Sequence, residues 1–468
     1  MKIALLHYHL KTGGVTTVLK RQVAALRGNC DTLVLTGDRA ETTLPCRVAE
    51  IPEIGYDRPG SPLHSAQPVA EKILEAISTA WPRGCDVLHV HNPTLAKNRC
   101  ILQVLKRLQQ SGVALFLQIH DFAEDGRPKA YFREPYPADC HYGVINSRDR
   151  GILLKAGLDA AGVHLIPNAI EPLPVATQGR PDPFVIYPIR AIRRKNLGEA
   201  ILLALFLRNG QRLAVTQPPN SPQDIASYRL WKRYVMERGL RVSFDVGRQY
   251  DFGALVGAAA SMVTTSIAEG FGFSFLEPWT AGKLLWGRKL DDICRDFEQN
   301  GVRLDALYSR LEVPFVWLDT KVFSRRWRAA AVAAAEAYDY ALAPGAVERG
   351  LDALKRSAVA DFGNLDEVLQ RQILSRLLKD AAARADLVGL NPWLAHPGDG
   401  SDSAGIIANN RKVVADCYGP SPYRERLLTI YDRVVHHPVR HRIDKRVLLE
   451  AFFDFEHFPL LKWGTHDD

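Results

Sequence analysis

Ala268 to Trp279 reads AEGFGFSFLEPW and places two glutamates, Glu269 and Glu277, eight residues apart around a glycine-aromatic-glycine turn. Upstream, Leu255 to Thr265 (LVGAAASMVTT) reads as a short helix running into a buried strand, and Phe273 to Ala281 has the apolar content of a helix. On that reading Glu269 ends a strand and Glu277 sits about one turn inside the next helix. Gly270, Phe271 and Gly272 then form the first turn of that helix. Free backbone N–H groups and the positive end of the helix dipole attract an anion there, usually a phosphate. A carboxylate beside such a turn and another lower on the same helix suit a phosphorylated sugar, one addressing hydroxyls and the other a ribose.

Working back from this stretch, Phe184 to Pro188 reads as a strand and Gly198 to Leu207 as an apolar helix, with IRAIRRKNL between them. Arg190 and Lys195 stand five apart in that loop, close enough for both cations to turn towards one anion. An arginine fork and a lysine point charge are the usual pair for a diphosphate; a solvated basic loop is the other reading. Further strands are expected at Arg212 to Thr216 and Val242 to Val246, with a helix over Gln223 to Glu237.

The first third of the chain shows the same alternation. A strand over Lys2 to Tyr8 leads through Gly13 and Gly14 into an amphipathic helix from about Val15 to Leu26. More strands are expected at Thr32 to Thr36, Val87 to His91, Ala114 to His120, Tyr142 to Asn146 and Val163 to Pro167, with a helix over Lys97 to Gln109. Strand and helix alternating at this interval predict a doubly wound parallel sheet, whose ligands gather at the carboxyl ends of its strands. Three polar signatures fall at such ends: His89 to Asn92, Ile119 to Phe122 and Ile145 to Ser147. His89 and His91 share one face of a strand, but no third residue is spaced to complete a metal site, so hydrogen-bonded strand-end histidines are expected.

Together these motifs resemble retaining glycosyltransferases of the large family 4, which have the two-domain GT-B fold. Glu269 and Glu277 stand in that family's E-x7-E spacing, inside an EGFG…E pattern. Arg190 and Lys195 fall on the two cations of its G-R-x-x-x-x-K loop, although Ile189 replaces the glycine, and Arg193 and Arg194 are placed to share that work. Leu165 to Ile170 (LIPNAI) resembles the turn that closes the first domain. The resemblance implies two Rossmann-like α/β domains facing a cleft, with a nucleotide-diphosphate sugar as co-substrate, a hexose transferred with retention, and no metal or other cofactor. It implies that Arg190 and Lys195 hold the diphosphate, that Glu269 holds the sugar hydroxyls and Glu277 the ribose, and that His120 fixes the sugar. It places Gly13 and Gly14 against the donor phosphates or the acceptor, alongside Gly270, Phe271 and Gly272.

The expected organisation is a first domain over 1–170, a linker over 171–183 (EPLPVATQGRPDP, with four prolines), a second domain over 184–420, and a helix crossing back with its tail over 421–468. The resemblance lapses over about 288–401. That helical, alanine-rich insertion reads as an acceptor pocket, a lid, an oligomer face or a plain brace.

At 468 residues, 47% hydrophobic and 24% charged, the chain has room for two or three ordinary domains. The net charge of +8 favours anionic partners such as nucleotide diphosphates, acidic acceptors or a lipid surface. No zinc-finger spacing or aromatic RNA-binding signature points to nucleic acid. Seven scattered cysteines, never in CxxC, indicate neither a disulfide framework nor a zinc site and fit a reducing cytoplasm. No uncharged apolar run approaches the roughly 18 residues of a membrane span, so any membrane contact is expected to be peripheral. The acceptor is open: a small molecule, a saccharide or a lipid. A GT-B phosphorylase, a sugar-nucleotide epimerase, a non-catalytic sugar-nucleotide binder and a basic surface-binding module are the competing readings.

Overall fold

In the computed structural model the described residues are 1–38, 43–58, 60, 63–176, 184–208, 210–398, 402–455 and 457–464. The chain divides into two compact units. One comprises Met1–Ile170 with Asp416–Phe452, and the other Glu171–Ala415 with Phe453–Asp468. Of the expected linker, 177–183 lie outside the described residues.

The first unit contains strands β1 (Lys2–His7), β2 (Asp31–Thr36), β3 (Arg47–Glu50), β4 (Val87–His91), β5 (Leu115–Ile119), β6 (His141–Val144) and β7 (Val163–Leu165). All are parallel, in the order β3-β2-β1-β4-β5-β6-β7. Helices α1 (Gly14–Leu26), α2 (Ala66–Ala80), α3 (Ile101–Gln110) and α4 (Ser147–Lys155) belong to this unit. Strand residues point alternately to opposite faces, so a sheet covered on both sides needs an unbroken apolar run rather than an alternating one. Ile3–Leu6 is such a run: Ala4 and Leu6 join one apolar cluster with α2 and α3 residues, while Ile3 and Leu5 join another with Leu19 and Val23 of α1.

In the second unit β8 (Phe184–Arg190), β9 (Leu213–Gln217), β10 (Val242–Ser243), β11 (Ala259–Thr264), β12 (Leu285–Arg288) and β13 (Leu307–Tyr308) form a six-stranded parallel sheet ordered β10-β9-β8-β11-β12-β13. Its helices are α5 (Leu197–Ala204), α6 (Pro222–Glu237), α7 (Phe252–Ala258), α8 (Glu277–Thr280) and α9 (Asp291–Gln299). Gly287 of β12 has φ +117°, and a Cβ there would lie 2.1 Å from the carbonyl oxygen of Thr264, so only glycine lets β11 and β12 approach so closely. The insertion adds a small antiparallel pair, β14 (Glu312–Pro314) with β15 (Val359–Asp361), and helices α10 (Thr320–Ala337), α11 (Ala346–Arg356), α12 (Glu367–Lys379) and α13 (Ala381–Leu390). Helix α14 (Ser403–Tyr418) follows.

Helices α15 (Pro420–His436) and α16 (Lys445–Glu450) belong to the first unit, where Tyr423, Leu427, Ile430 and Tyr431 enter the α1 cluster. The final helix α17 (Leu460–Trp463) lies in the second unit; its segment packs Phe458 and Trp463 together, with Phe458 also against Trp327 of α10. Among the described residues no helix is long and apolar enough to cross a membrane.

The expected helix over Phe273 to Ala281 is not continuous. Phe273–Phe275 form a 3-10 turn, and α8 is only four residues long, with Glu277 at its first position and Pro278 next. Gly272, at φ +87°, turns the chain so that Phe275 packs into the core, and proline fits only the first turn of a helix. Gly270 to Gly272 therefore precede a 3-10 turn and not the N-terminus of a long helix with a developed dipole, and Glu277 opens a helix instead of lying one turn inside it.

Candidate active site

In both sheets the strand order reverses beside the first strand of the unit, between β1 and β4 and between β8 and β11. Such reversals leave a crevice at the carboxyl ends of the strands. In the second unit the basic loop leaves β8 and the glutamate stretch leaves β11, so the switch point brings the two motifs together.

The contact is direct. The ammonium of Lys195 and the guanidinium of Arg194 both donate to the carboxylate of Glu269, Arg194 Nη1 at 2.7 Å from Oε2. Burial alone would raise the Glu269 pKa, but the two cations outweigh it and hold the carboxyl at about 2, so Glu269 is ionised at neutral pH.

Backbone and buried hydroxyls fix both loops. Tyr187 Oη donates to the Lys195 carbonyl at 2.6 Å, and Thr265 Oγ1 is 3.0 Å from the carbonyls of both Lys195 and Asn196. Ile267 N–H donates to the Arg194 carbonyl, and Arg194 Nη1 also donates to that of Ala268. Asn196 adopts a left-handed conformation at φ 52° and caps α5 through Glu199 N–H. Asparagine tolerates that conformation better than most residues.

The insertion braces this loop from behind. Arg193 makes a two-pronged ion pair with Glu367 of α12, 2.8 Å on each side, and donates to the carbonyl of Gly464 in the C-terminal segment. Gln370 of α12 donates to Asn196 Oδ1 at 2.9 Å. Deeper in the unit, Arg288 joins Glu199 to Asp361 of β15, with Tyr308 donating to Glu199 at 2.6 Å, so that a fully buried charge cluster ties the insertion to the sheet.

Arg190 stands apart from this cluster. It is exposed at the end of β8, its guanidinium donating to Gln217 Oε1 at 3.1 Å, and the cation that joins Lys195 on Glu269 is Arg194. Glu277 is half-buried, and its charge acts on Lys195. The Phe271 ring packs against Phe297, leaving only its backbone for a ligand. Sequence reasoning did not single out Tyr187, Thr265, Glu367 or Gln370, whose polar side chains lie in otherwise apolar or helical contexts.

In the first unit His120 lies just past β5, buried, with its N–H donating to Asn92 Oδ1 at 2.7 Å. Its Nε2 is 2.9 Å from Nδ1 of His91, and the two rings stack. Burial lowers the His120 pKa to about 4, so the ring is neutral. His89 bonds Tyr431 Oη and Gln118 Oε1, each at 2.9 Å, so β4 carries hydrogen-bonded strand-end histidines. Gly13 is extended and accepts from Thr17, and Gly14 opens α1. A Cβ on Gly14 would meet nothing within 4 Å, so neither conformation nor internal packing demands glycine there.

No family profile matches the chain. A mannosylglucosyl-3-phosphoglycerate synthase from Petrotoga mobilis is 25% identical over 335 residues, covering 63% of this chain and 66% of that enzyme, just under two-thirds of its length. Sucrose-phosphate synthase from Thermosynechococcus elongatus superposes with a TM-score of 0.54 at 16% identity, over 92% of this chain and 98% of the other. A glycosyltransferase from Rickettsia africae gives 0.53 at 12% identity, covering 93% and 99%. HepE from Anabaena in complex with UDP-glucose gives 0.51 at 14%, covering 92% and 98%. The fold is accordingly GT-B, with two Rossmann-like parallel-sheet units and a helical insertion in the C-terminal half.

Proposed function

We infer that the protein is a glycosyltransferase that moves a hexose, with retention, from a nucleotide-diphosphate sugar to a small hydroxylated acceptor. The observation that carries this reading is the ion cluster of Arg194, Lys195 and Glu269 at the β8/β11 switch point. The partial likeness to a mannosylglucosyl-3-phosphoglycerate synthase supports it and suggests phosphoglycerate or its glycosides as first acceptors to try.

The difficult event in such a transfer is departure of the diphosphate while positive charge develops on the sugar ring. Groups aimed at the growing negative charge lower that barrier most. In this reading Lys195 and Arg194 neutralise the leaving diphosphate, assisted by the backbone of Gly270 to Gly272 and by the exposed Arg190. Glu269, kept ionised by its two cations, accepts hydrogen bonds from the sugar hydroxyls, and Glu277 does so from the ribose. His120, neutral and held by His91, orients the sugar, and the open space at Gly14 admits a ligand close to backbone. Retention follows a front-face displacement within an ion pair. A covalent route needs two carboxyls about 5 Å apart across the scissile bond, and the reading gives Glu269 and Glu277 to donor binding.

The test is thermal-shift and calorimetric binding of UDP, GDP, ADP and their sugar conjugates to the wild type and to Glu277→Ala. A companion assay follows release of nucleotide diphosphate with and without 3-phosphoglycerate or its glucoside. Stabilisation by one nucleotide class, weakened in the variant, with acceptor-dependent release is the expected result. Binding without release under any acceptor would favour a sugar-nucleotide sensor. Absence of all nucleotide binding in folded protein would overturn the reading.

A further inference from the structure

We propose that the insertion carries a second small-molecule site, for an organic anion of monosaccharide size such as a sugar phosphate or sugar acid. The second unit contains a partly open cavity of about 620 Å³ between α10, α11, β15 and the C-terminal segment. That volume lies within the range of specific ligand pockets, and the mixture of a mostly apolar floor with a few polar groups is their usual lining. The floor is aromatic: Phe315 and Phe323 meet edge to face at 5.3 Å, and Trp327 meets Phe458 at 5.6 Å. Flat apolar faces of this kind receive the C–H face of a sugar ring.

The rim supplies the charge preference. Arg193, Arg288 and Arg326 of this unit are each committed to carboxylates, whereas Arg310, at the mouth of the cavity, has no partner among the described residues. A guanidinium with its whole fork unspent matches a carboxylate or a phosphate with two parallel hydrogen bonds. The acids lining the cavity are already engaged: Asp361 is neutralised by Arg288, and Asp291 is held by Lys289 and by Ser309 Oγ. They remain hydroxyl acceptors without cancelling the attraction of Arg310 for an anion. The cavity shares no side chain with the Arg194, Lys195 and Glu269 cluster, so its ligand is distinct from the donor.

The experiment is calorimetric titration of the full chain with glucose 6-phosphate, glucuronate, glucose and orthophosphate, each to about 10 mM, well above a ~1 mM dissociation constant. It is repeated on Arg310→Ala and on Ala353→Trp, which fills the cavity. Arg310 is exposed and has no partner among the described residues, so Arg310→Ala is expected to fold whether or not the larger side chain is tolerated. The expected result is that one of the two anionic sugars binds more tightly than glucose or orthophosphate. Arg310→Ala then weakens it by at least about tenfold, the worth of charge-assisted hydrogen bonds. Equal binding to wild type and Arg310→Ala, binding of orthophosphate as tight as that of the sugars, or no binding by either anionic sugar would overturn the proposal. Nucleotide binding is scored on the same samples, so its loss with anion binding retained strikes the donor reading alone.

Discussion

Lys195 and Glu269 form a buried ion pair between two adjacent strand ends, their side chains 14% and 8% exposed. They lie 74 residues apart in sequence, and meet because β8 and β11 are neighbours where the sheet order reverses. The pair is a structural joint and, in the proposed reading, also binds the donor, and the two roles separate experimentally.

Glu269→Gln removes the charge and leaves Lys195 and Arg194 facing a neutral amide. Breaking a buried pair from one side costs about 3–5 kcal/mol, and the partial exposure of Arg194 puts this case near the lower end. The folded carboxyl sits at about 2 against an ordinary value of 4.5. Its contribution is therefore present above pH 4.5 and is lost as pH falls towards 2. Urea melts should show a gap of about 3 kcal/mol between wild type and variant at pH 7 that closes below pH 4. Transfer activity at pH 7 should drop by about a hundredfold or more. A gap that persists unchanged at pH 3 would contradict the assignment.

The first unit should be acid-sensitive well above the carboxylate range. Burial drives the pKa values of His7, His89 and His164 to about 3, that of His120 to about 4, and that of His91 well down, all from 6.5. Below pH 6.5 the unfolded chain takes up protons that the folded rings refuse, so stability falls as pH falls from 6.5 towards 4. Each ring contributes up to about 1.4 kcal/mol per pH unit in that window. Denaturant melts at pH 7.5, 6.0 and 5.0 measure the slope, and His120 ring proton shifts should stay flat over that range. A titration of His120 near pH 6.5 would show that the ring is solvated.

The parallel sheets were legible because a strand buried on both faces is written as an unbroken apolar run, as in Ile3–Leu6 and Phe184–Tyr187. The edge strand β3, with three of its four residues exposed or nearly so, carries no such run and was missed. Helix α8 was misjudged because FSFLEPWTA is apolar enough for a helix, whereas Gly272 and Pro278 break it into turns whose geometry depends on Phe275 packing. The spacing of Glu269 and Glu277 was legible in the sequence, but the pairing of Arg194 and Lys195 with Glu269 was not. Within the 3-10 turn over Arg193–Lys195, Arg193 pairs with Glu367 while Arg194 and Lys195 pair with Glu269, a division that spacing alone does not record.

Gly14→Val separates fold from ligand. A Cβ at Gly14 would meet no protein atom within 4 Å, the residue is exposed, and it is the first of α1. Thermal stability should therefore change by no more than about 0.5 kcal/mol, as for other surface positions. If donor or acceptor lies against this backbone, KM should rise by tenfold or more with the melting temperature unaltered. Unchanged KM for both substrates would remove Gly13 and Gly14 from the site.

The Arg193–Glu367 pair ties the insertion to the loop that carries Arg194 and Lys195. Its side chains are 8% and 13% exposed, and the two parallel bonds at 2.8 Å require the planar fork of arginine. Arg193→Lys retains the charge but loses one prong and the bond to the Gly464 carbonyl, at a cost of about 1–3 kcal/mol for groups left unsatisfied. Because the Arg193 guanidinium is spent on Glu367 and the Gly464 carbonyl, the loss should appear in the placement of Lys195. The dissociation constant for nucleotide should rise several-fold, the midpoint of unfolding should fall, and Glu367→Gln should reproduce both effects more mildly. Combined with Glu367→Gln, Arg193→Lys should add much less than the sum of the single changes, as coupled neighbours do. Full additivity in that double-mutant cycle, or intact nucleotide affinity in Arg193→Lys, would reduce the insertion to a scaffold with no hold on the donor loop.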